Sequence, residues 1–431
     1  MGHRDRPVAH SNRRSGRTGT DAAYHLAVNA GALRWASIPD AARTAATTFL
    51  HDTLCVGIAG RRAPYADAVL AATRGWGGGG EQCGLLGRTE GLPPCDAAFV
   101  NAFQILAQEY DCVHDAAVVH PLATILAVLL ADLDRGPPRS GTDLLTALVA
   151  GVDVAAGLGL AATTPLRFFG PATAGIFGSV LALAALRGVS TDIACDTIGY
   201  ALAFAAGTMQ AHIEGKPTLS LQVAQAARAA IHAIDLAAAG LPGPRDAIER
   251  RYGYLPLFET GYDLARLGLD KGHRITEVTW KPIPTGRAAH GAIVAMQALM
   301  RDHGVTADNL ARLVYRAPPL IHQLVGRLAT SDMAPAYARL CFAWLGSVVL
   351  SRGTIGLDDF DDASRSEPAL LALAARITVE VDANPDPAAF TPAVATATLR
   401  DGKQRSVTIA AQFGSPEWPL TDAEHLAKAR T

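Results

Sequence analysis

Charge is scarce in this chain of 431 residues: Asp, Glu, Lys and Arg make up 18% of it, below the roughly 25% of ordinary soluble domains. Aromatic residues are scarcer, at 6%, while 49% of the chain is hydrophobic, so the core has to be built from small aliphatic side chains. No sign of charge dominates. With 38 Lys and Arg against 40 Asp and Glu, the formal charge is -2, which argues against a nucleic-acid partner and against an acidic, solvating chain. The six cysteines, Cys55, Cys83, Cys95, Cys112, Cys195 and Cys341, form no CxxC pair, so neither a zinc site nor a disulfide framework is indicated. The longest apolar run, 122–131, falls short of the about 20 residues of a membrane span, and no membrane association is expected. Residues 1–20 carry Arg4, Arg6, Arg13, Arg14 and Arg17 with no apolar segment behind them. They read as a disordered basic tail rather than a secretory leader, which makes a cytoplasmic location the expectation.

The length is two to three times that of a usual single domain, so a two-part architecture is expected. From Asp21 to about Ala265 amphipathic helices follow one another, broken at Gly60, the glycine run 77–80, 93–94, 137–138 and Pro242. Pro39 and Asp40 open a helix reaching about Gly57, Pro94 opens one reaching Tyr110, and Pro121 starts a third. Residues 111–120 are then a loop between two helices. Beyond Gly272 the pattern changes: 274–280 alternates like a strand, a helix fits 288–302, and 310–315 alternates again. Residues 394–399 and 405–410 flank Asp401-Gly402, a turn that closes hairpins. A buried helix is read at 334–351 and a short one at 420–429. The expected fold is mainly α, with a large all-helical domain over 21–270, rejoined by 415–431, and a smaller α+β domain over 271–414.

Four segments concentrate polar groups among the apolar helices. The densest is Gln108-Glu109-Tyr110-Asp111-Cys112-Val113-His114-Asp115, followed by His120-Pro121. Two histidines beside several carboxylates can have their pKa values pushed apart for acid and base roles, although the same residues can serve as caps and backbone partners. Their spacing is not that of a metal-binding HExxH helix. The second segment, Lys281 to His290, is stiffened by Pro282 and Pro284 and sets Lys281, Arg287 and His290 near a helix start, which suits a carboxylate; a solvated basic turn is the other reading. The third runs from Met209 to Pro217, through His212 and Lys216, with Gln222 and Arg228 beyond. The fourth is the glycine-rich helix start from Arg167 to Gly175. None matches a P-loop or a dinucleotide fingerprint, so no nucleotide cofactor is implied.

In this order and at these separations, the segments resemble the MmgE/PrpD family. The residues that carry the resemblance are Ala98-Phe99-Val100-Asn101, Glu109 to His114, His120-Pro121, Thr173-Ala174-Gly175 with Gly178, Glu214-Gly215 and Ala226-Ala227-Arg228. Gly243-Pro244-Arg245, Tyr252-Gly253-Tyr254, Lys281-Pro282 to His290, Gly356 to Phe360 and Gly414-Ser415-Pro416-Glu417 complete it. The family includes 2-methylcitrate dehydratase, cis-aconitate decarboxylase and an iminodisuccinate epimerase. The resemblance implies a helical domain under an α+β lid, a homodimer, no cofactor and no metal. It also implies a lyase acting on a small di- or tricarboxylate, dehydration first, with decarboxylation, epimerisation or a non-catalytic scaffold as alternatives. Under it Asp111, His114, His120 and Lys281 are the expected catalytic residues. Glu109, Lys216, Gln222, Arg287, His290 and Arg339 are the expected substrate-binding residues. The chain departs from the family at Cys112 and Val113, at Phe169 and Gly286 where members carry histidine, and at Leu219 where members carry lysine.

Overall fold

The computed structural model describes residues 21–77, 82–268, 273–386 and 388–430. The basic tail at 1–20, the boundary read at 270/271 and most of the glycine run lie outside these residues. The first unit is built of the helices Asp40–Ala59, Pro94–Leu106, Pro121–Arg135, Gly141–Ala161, Gly175–Arg187, Thr191–Phe204 and Thr218–Ala238 with shorter ones between. Their starts follow from local chemistry. Pro94 and Pro121 sit in the first helical turn, where a missing N–H breaks no bond. Ser140 and Asp143 form a reciprocal capping box, and Ser190 accepts the N–H of Ile193.

Thr218–Ala238 is the central helix, packed on Pro94–Leu106, Pro121–Arg135, Gly175–Arg187 and Thr191–Phe204 through Val223, Ala227, Ala230 and Ile234. Small side chains let these helices approach closely. The Gly141–Ala161 and Gly175–Arg187 helices touch through glycine: a Cβ on Gly178 would lie 2.6 Å from the carbonyl oxygen of Gly151. Gly141–Ala161 and the segment Gly170–Arg187 are long and apolar enough to cross a membrane by length and composition, which corrects the reading that no such segment exists. Charged and polar residues interrupt any unbroken run in them, but their average hydropathy is high. Most of each is buried among the other helices, as core helices are.

The second unit wraps a separate core, including Tyr315, Phe342 and Trp344, around a four-stranded sheet. The sheet order is Ile377–Val381, Leu310–Ala317, Ala393–Leu399, Gln404–Ile409, with the first pair parallel and the others antiparallel. The hairpin at Asp401-Gly402 is present. Ile377–Val381 was not anticipated, because its partner Leu310–Ala317 lies more than sixty residues away in sequence. The helices His290–His303 and Phe342–Arg352 cover the sheet.

Several elements differ from the sequence reading. Residues 274–280 form no strand: Arg274–Glu277 is a 3-10 turn, held by Asp153, which accepts the Arg274 N–H at 2.7 Å. Only Thr279 pairs in β fashion, with Val113 of the 111–120 loop. The helix read at 334–351 is two, Pro335–Ala338 and Phe342–Arg352, because Arg339 turns inward between them. Pro94–Leu106 stops before Tyr110, since Glu109 takes a positive φ of 51°. The first unit also holds a two-residue β pair, Cys83–Gly84 with Gly91–Leu92, so it is not all-helical. The last helix, Asp422–Ala429, lies on Asp40–Ala59, with Lys428 Nζ 2.7 Å from Asp52 and donating to the Tyr110 carbonyl.

Candidate active site

The two units meet where the 109–120 loop faces the segment 279–290. The strands of contact are short but specific: Val113 and Thr279 exchange both backbone hydrogen bonds, and the single Thr279 hydroxyl proton has two acceptors within reach, Val113 O at 2.8 Å and Asp115 Oδ1 at 2.9 Å. Trp280 stacks on Phe49, with ring centroids 4.1 Å apart, which fixes the segment to the first unit. Glu109 and Val118 both hold positive φ, so this loop keeps an unfavourable backbone shape that its surroundings must enforce.

A cavity of about 50 Å³ lies at this seam, and three of the expected site residues line it: Glu109, His120 and Arg287. His120 Nδ1 donates to Asp111 Oδ2 at 2.9 Å. With Nδ1 carrying the proton toward a carboxylate, Nε2 is the basic nitrogen, and the ring can take or give a proton there. Arg287 Nε donates to both oxygens of Asp115, at 3.1 and 3.0 Å. Its Nη2 also lies 3.0 Å from Asp115 but makes no well-directed bond, so the guanidinium keeps one buried donor unused. Glu109 receives Lys281 Nζ at 2.8 Å. Burial alone would raise the Glu109 carboxyl, but Lys281 and His120 outweigh it and hold the group at about 2, so it stays ionised.

Three expected residues stand one bond behind the cavity. Asp111 is fully buried and orients His120. Lys281, also fully buried, reaches Glu109 and lies 3.7 Å from Asp111, so its charge is spent on these carboxylates and it does not line the cavity. His290 is fully buried too, between Arg287 and the Thr285 carbonyl. Burial, then Arg287 and Lys281, push its ring well below the usual histidine range, so it is a neutral support for Arg287.

The other four, His114, Gln222, Lys216 and Arg339, do not line this cavity. His114 is within hydrogen-bond distance of Glu277, 3.0 Å away, and accepts the Ala117 N–H, which uses both ring nitrogens to brace the loop. Gln222 clamps the backbone of Thr208. Lys216 is exposed and outside the cavity lining. Arg339 donates to the carbonyls of Gln108 and Pro284 and stacks over Phe360 at 3.8 Å, tying the two segments together from behind. Cys112 is buried, and burial followed by Asp52 and Asp111 pushes its thiol well above the usual range, which removes it as a nucleophile.

The remaining wall comes largely from the third and fourth polar segments, although none of its residues was among the expected catalytic or substrate-binding set. Phe168, Phe169, Pro171, Met209 and Phe390 make it apolar, and His212 adds one polar group. His212 stood in the third polar segment, but nothing local distinguished it from its neighbours. Among the described residues no group of three or more His, Cys, Asp or Glu side chains is arranged to hold a metal ion.

Comparison with known proteins agrees with this architecture. The MmgE/PrpD N-terminal domain family matches residues 24–267, and the MmgE/PrpD C-terminal domain family matches 283–431. The human cis-aconitate decarboxylase is 28% identical over 307 residues, which is 67% of this chain and 62% of that protein. The cis-aconitate decarboxylase-like protein oryM of Aspergillus oryzae is 27% identical over 383 residues, 80% of this chain and 77% of its own length. A cis-aconitate decarboxylase of Aspergillus terreus is 28% identical over 249 residues, 54% of this chain and half of that protein. With both family domains matched in order over nearly all of its length, the chain belongs to the MmgE/PrpD family.

Proposed function

We propose that the chain is a lyase that decarboxylates a small, aconitate-like carboxylic acid in the seam between its two units. The observation that carries this reading is the His120–Asp111 pair, 2.9 Å apart, whose basic Nε2 shares a cavity with Arg287. In such a reaction the bond to the departing carboxyl group breaks and carbon dioxide leaves. The electron pair stays on the carbon next to the remaining carboxylate, and His120, protonated on Nε2 by water before each turnover, delivers the proton that quenches it. Arg287 holds the remaining carboxylate, and the apolar wall excludes water from the carbanion. The relatives named for cis-aconitate decarboxylation support this choice over dehydration. So does His114, whose engagement with Glu277 leaves the cavity without the second acid–base histidine expected from the loop.

The four-stranded unit acts as the lid in this reading. A cavity of about 50 Å³ is far smaller than the roughly 300–1,000 Å³ of usual ligand pockets, so the seam has to open to admit substrate and close around it. Phe169 and the other aromatic walls further favour an acid with an apolar arm over one that is charged on every side.

The test is direct. Purified protein is incubated with cis-aconitate and with alkyl-substituted aconitates, following carbon dioxide release and the proton nuclear magnetic resonance spectrum of the product. Release that is abolished in His120→Ala supports the reading. A new double bond from citrate or 2-methylcitrate without carbon dioxide would replace it with dehydration.

A further inference from the structure

His212 lies on the short helix Gln210–Glu214, is 5% exposed, and lines the same cavity as Glu109 and His120. Arg327, from the second unit, grips it twice. Nη1 donates to the His212 carbonyl at 3.0 Å and Nη2 lies 3.2 Å from the ring nitrogen Nδ1. Arg327 is itself fixed, by donation to Leu324 O, by the Tyr337 ring 4.8 Å away, and by the Cys341 thiol bonded to its carbonyl. The close approach is built into the chain: Gly215, which ends the helix at φ +62°, would place a Cβ 2.4 Å from Tyr337.

A guanidinium can only donate, so Nδ1 of His212 must accept, and the neutral ring carries its proton on Nε2. Nε2 makes no hydrogen bond to another of the described residues. We propose that His212 is a second imidazole of the active site, a neutral donor whose Nε2–H binds an oxygen of the substrate, with Arg327 as the residue that positions it. The substrate named here rests on the carboxylate-lyase reading; the tautomer does not. Burial, then Arg327, lower the ring to about 4, while the Glu109 carboxylate opposes this and His120 adds to it, so the donor stays uncharged near neutral pH. The two imidazoles are thus set oppositely. Asp111 makes Nε2 of His120 a base, and Arg327 makes Nε2 of His212 a donor, suited to a carboxylate oxygen as charge builds on the adjacent carbon.

Histidine-labelled full-length protein, with ring signals assigned by loss in His212→Gln, tests this by nitrogen-15 magnetic resonance. The expected signal is a neutral ring protonated on Nε2 and untitrated from pH 8 down to about 5.5. Arg327→Met should release it to a mixed tautomer that titrates near 6.5. Adding propane-1,2,3-tricarboxylate, which lacks the double bond, should shift the His212 Nε2 signal. A ring protonated on Nδ1, or one titrating near 6.5 in the parent protein, overturns the proposal, as does an anion that moves His120 alone. An anion that moves neither ring sinks the carboxylate reading and the ligand proposed here, while the tautomer still decides for or against the Arg327 clamp. In turnover, His212→Ala should lower kcat by about 10²- to 10³-fold, and His212→Gln, which keeps a donor, should recover part of it. Equal kcat in the parent and His212→Ala would leave His212 a structural residue.

Discussion

The Lys281 ammonium crosses from one unit to the other to meet Glu109 at 2.8 Å, with no solvent access of its own. The pair joins residues far apart in the chain and places a fixed ion pair directly behind the cavity wall. A buried pair is costly to break from one side, because the remaining charge has no partner. Lys281→Met should therefore destabilise the protein by about 3–5 kcal/mol in urea unfolding, and Glu109→Gln in the same chain should recover much of the loss. Additive losses in the double variant would show that the two side chains do not act as a pair.

The Asp111–His120 bond sets which nitrogen of His120 can work. Asp111→Asn removes the carboxylate that stabilises the doubly protonated ring and can offer an N–H to Nδ1, which leaves a neutral ring with its proton on Nε2, a far weaker acid. By analogy with other carboxylate-oriented histidines, kcat should fall by about 10⁴-fold with little change in KM. The comparison is made by carbon dioxide release, with circular dichroism confirming that the variant remains folded.

Acid should weaken the fold in two steps. His212 has an ordinary value of 6.5 and a folded value of about 4, so the unfolded chain binds its proton first. The stability it supports is complete above pH 6.5 and is lost as pH falls toward 4, amounting to about 3 kcal/mol at most. Glu109, lowered from 4.5 to about 2, adds a second loss as pH falls from 4.5 toward 2. Urea unfolding from pH 8 to 4 should show a smaller upper loss in His212→Gln than in the parent chain, the remainder coming from His290, whose ring is likewise held below the usual histidine range. An upper loss of equal size in the two proteins would show that His212 does not contribute to it.

Gly178→Ala tests the helix crossing. The added Cβ would meet the Gly151 carbonyl at 2.6 Å and the Ala155 Cβ at 2.8 Å, both on a helix that cannot yield locally. A loss of about 1–3 kcal/mol is expected, against a gain from helix propensity of under about 1. Thermal unfolding of Gly178→Ala beside Gly188→Ala, where nothing lies within 4 Å but φ is +66°, separates crowding from backbone strain.

Much of this protein was legible from local pattern. Proline at the first turn placed the starts at Pro94 and Pro121, alternation around Asp401-Gly402 placed the hairpin, and the cluster of polar residues from Glu109 to His120 marked the loop that the cavity uses. These signals reach only a few residues, so they survive without knowledge of the fold. Ile377–Val381 did not, because its pairing with Leu310–Ala317 is a tertiary event. The kink at Arg339 depends likewise on carbonyls at Gln108 and Pro284 that only the folded chain brings near.

By itself the sequence determined the helical class, the α+β second unit and the family, since periodicity, turn chemistry and motif order are properties of neighbours along the chain. Tertiary structure decided what each ionisable group does. His114 and His120 are six positions apart in one loop, yet Glu277 and the Ala117 N–H claim the first while Asp111 turns the second toward the cavity. His212 is held by Arg327, more than a hundred residues away. A side chain's protonation and direction depend on the charges and dipoles packed around it, and those are assembled only when the two units close on each other.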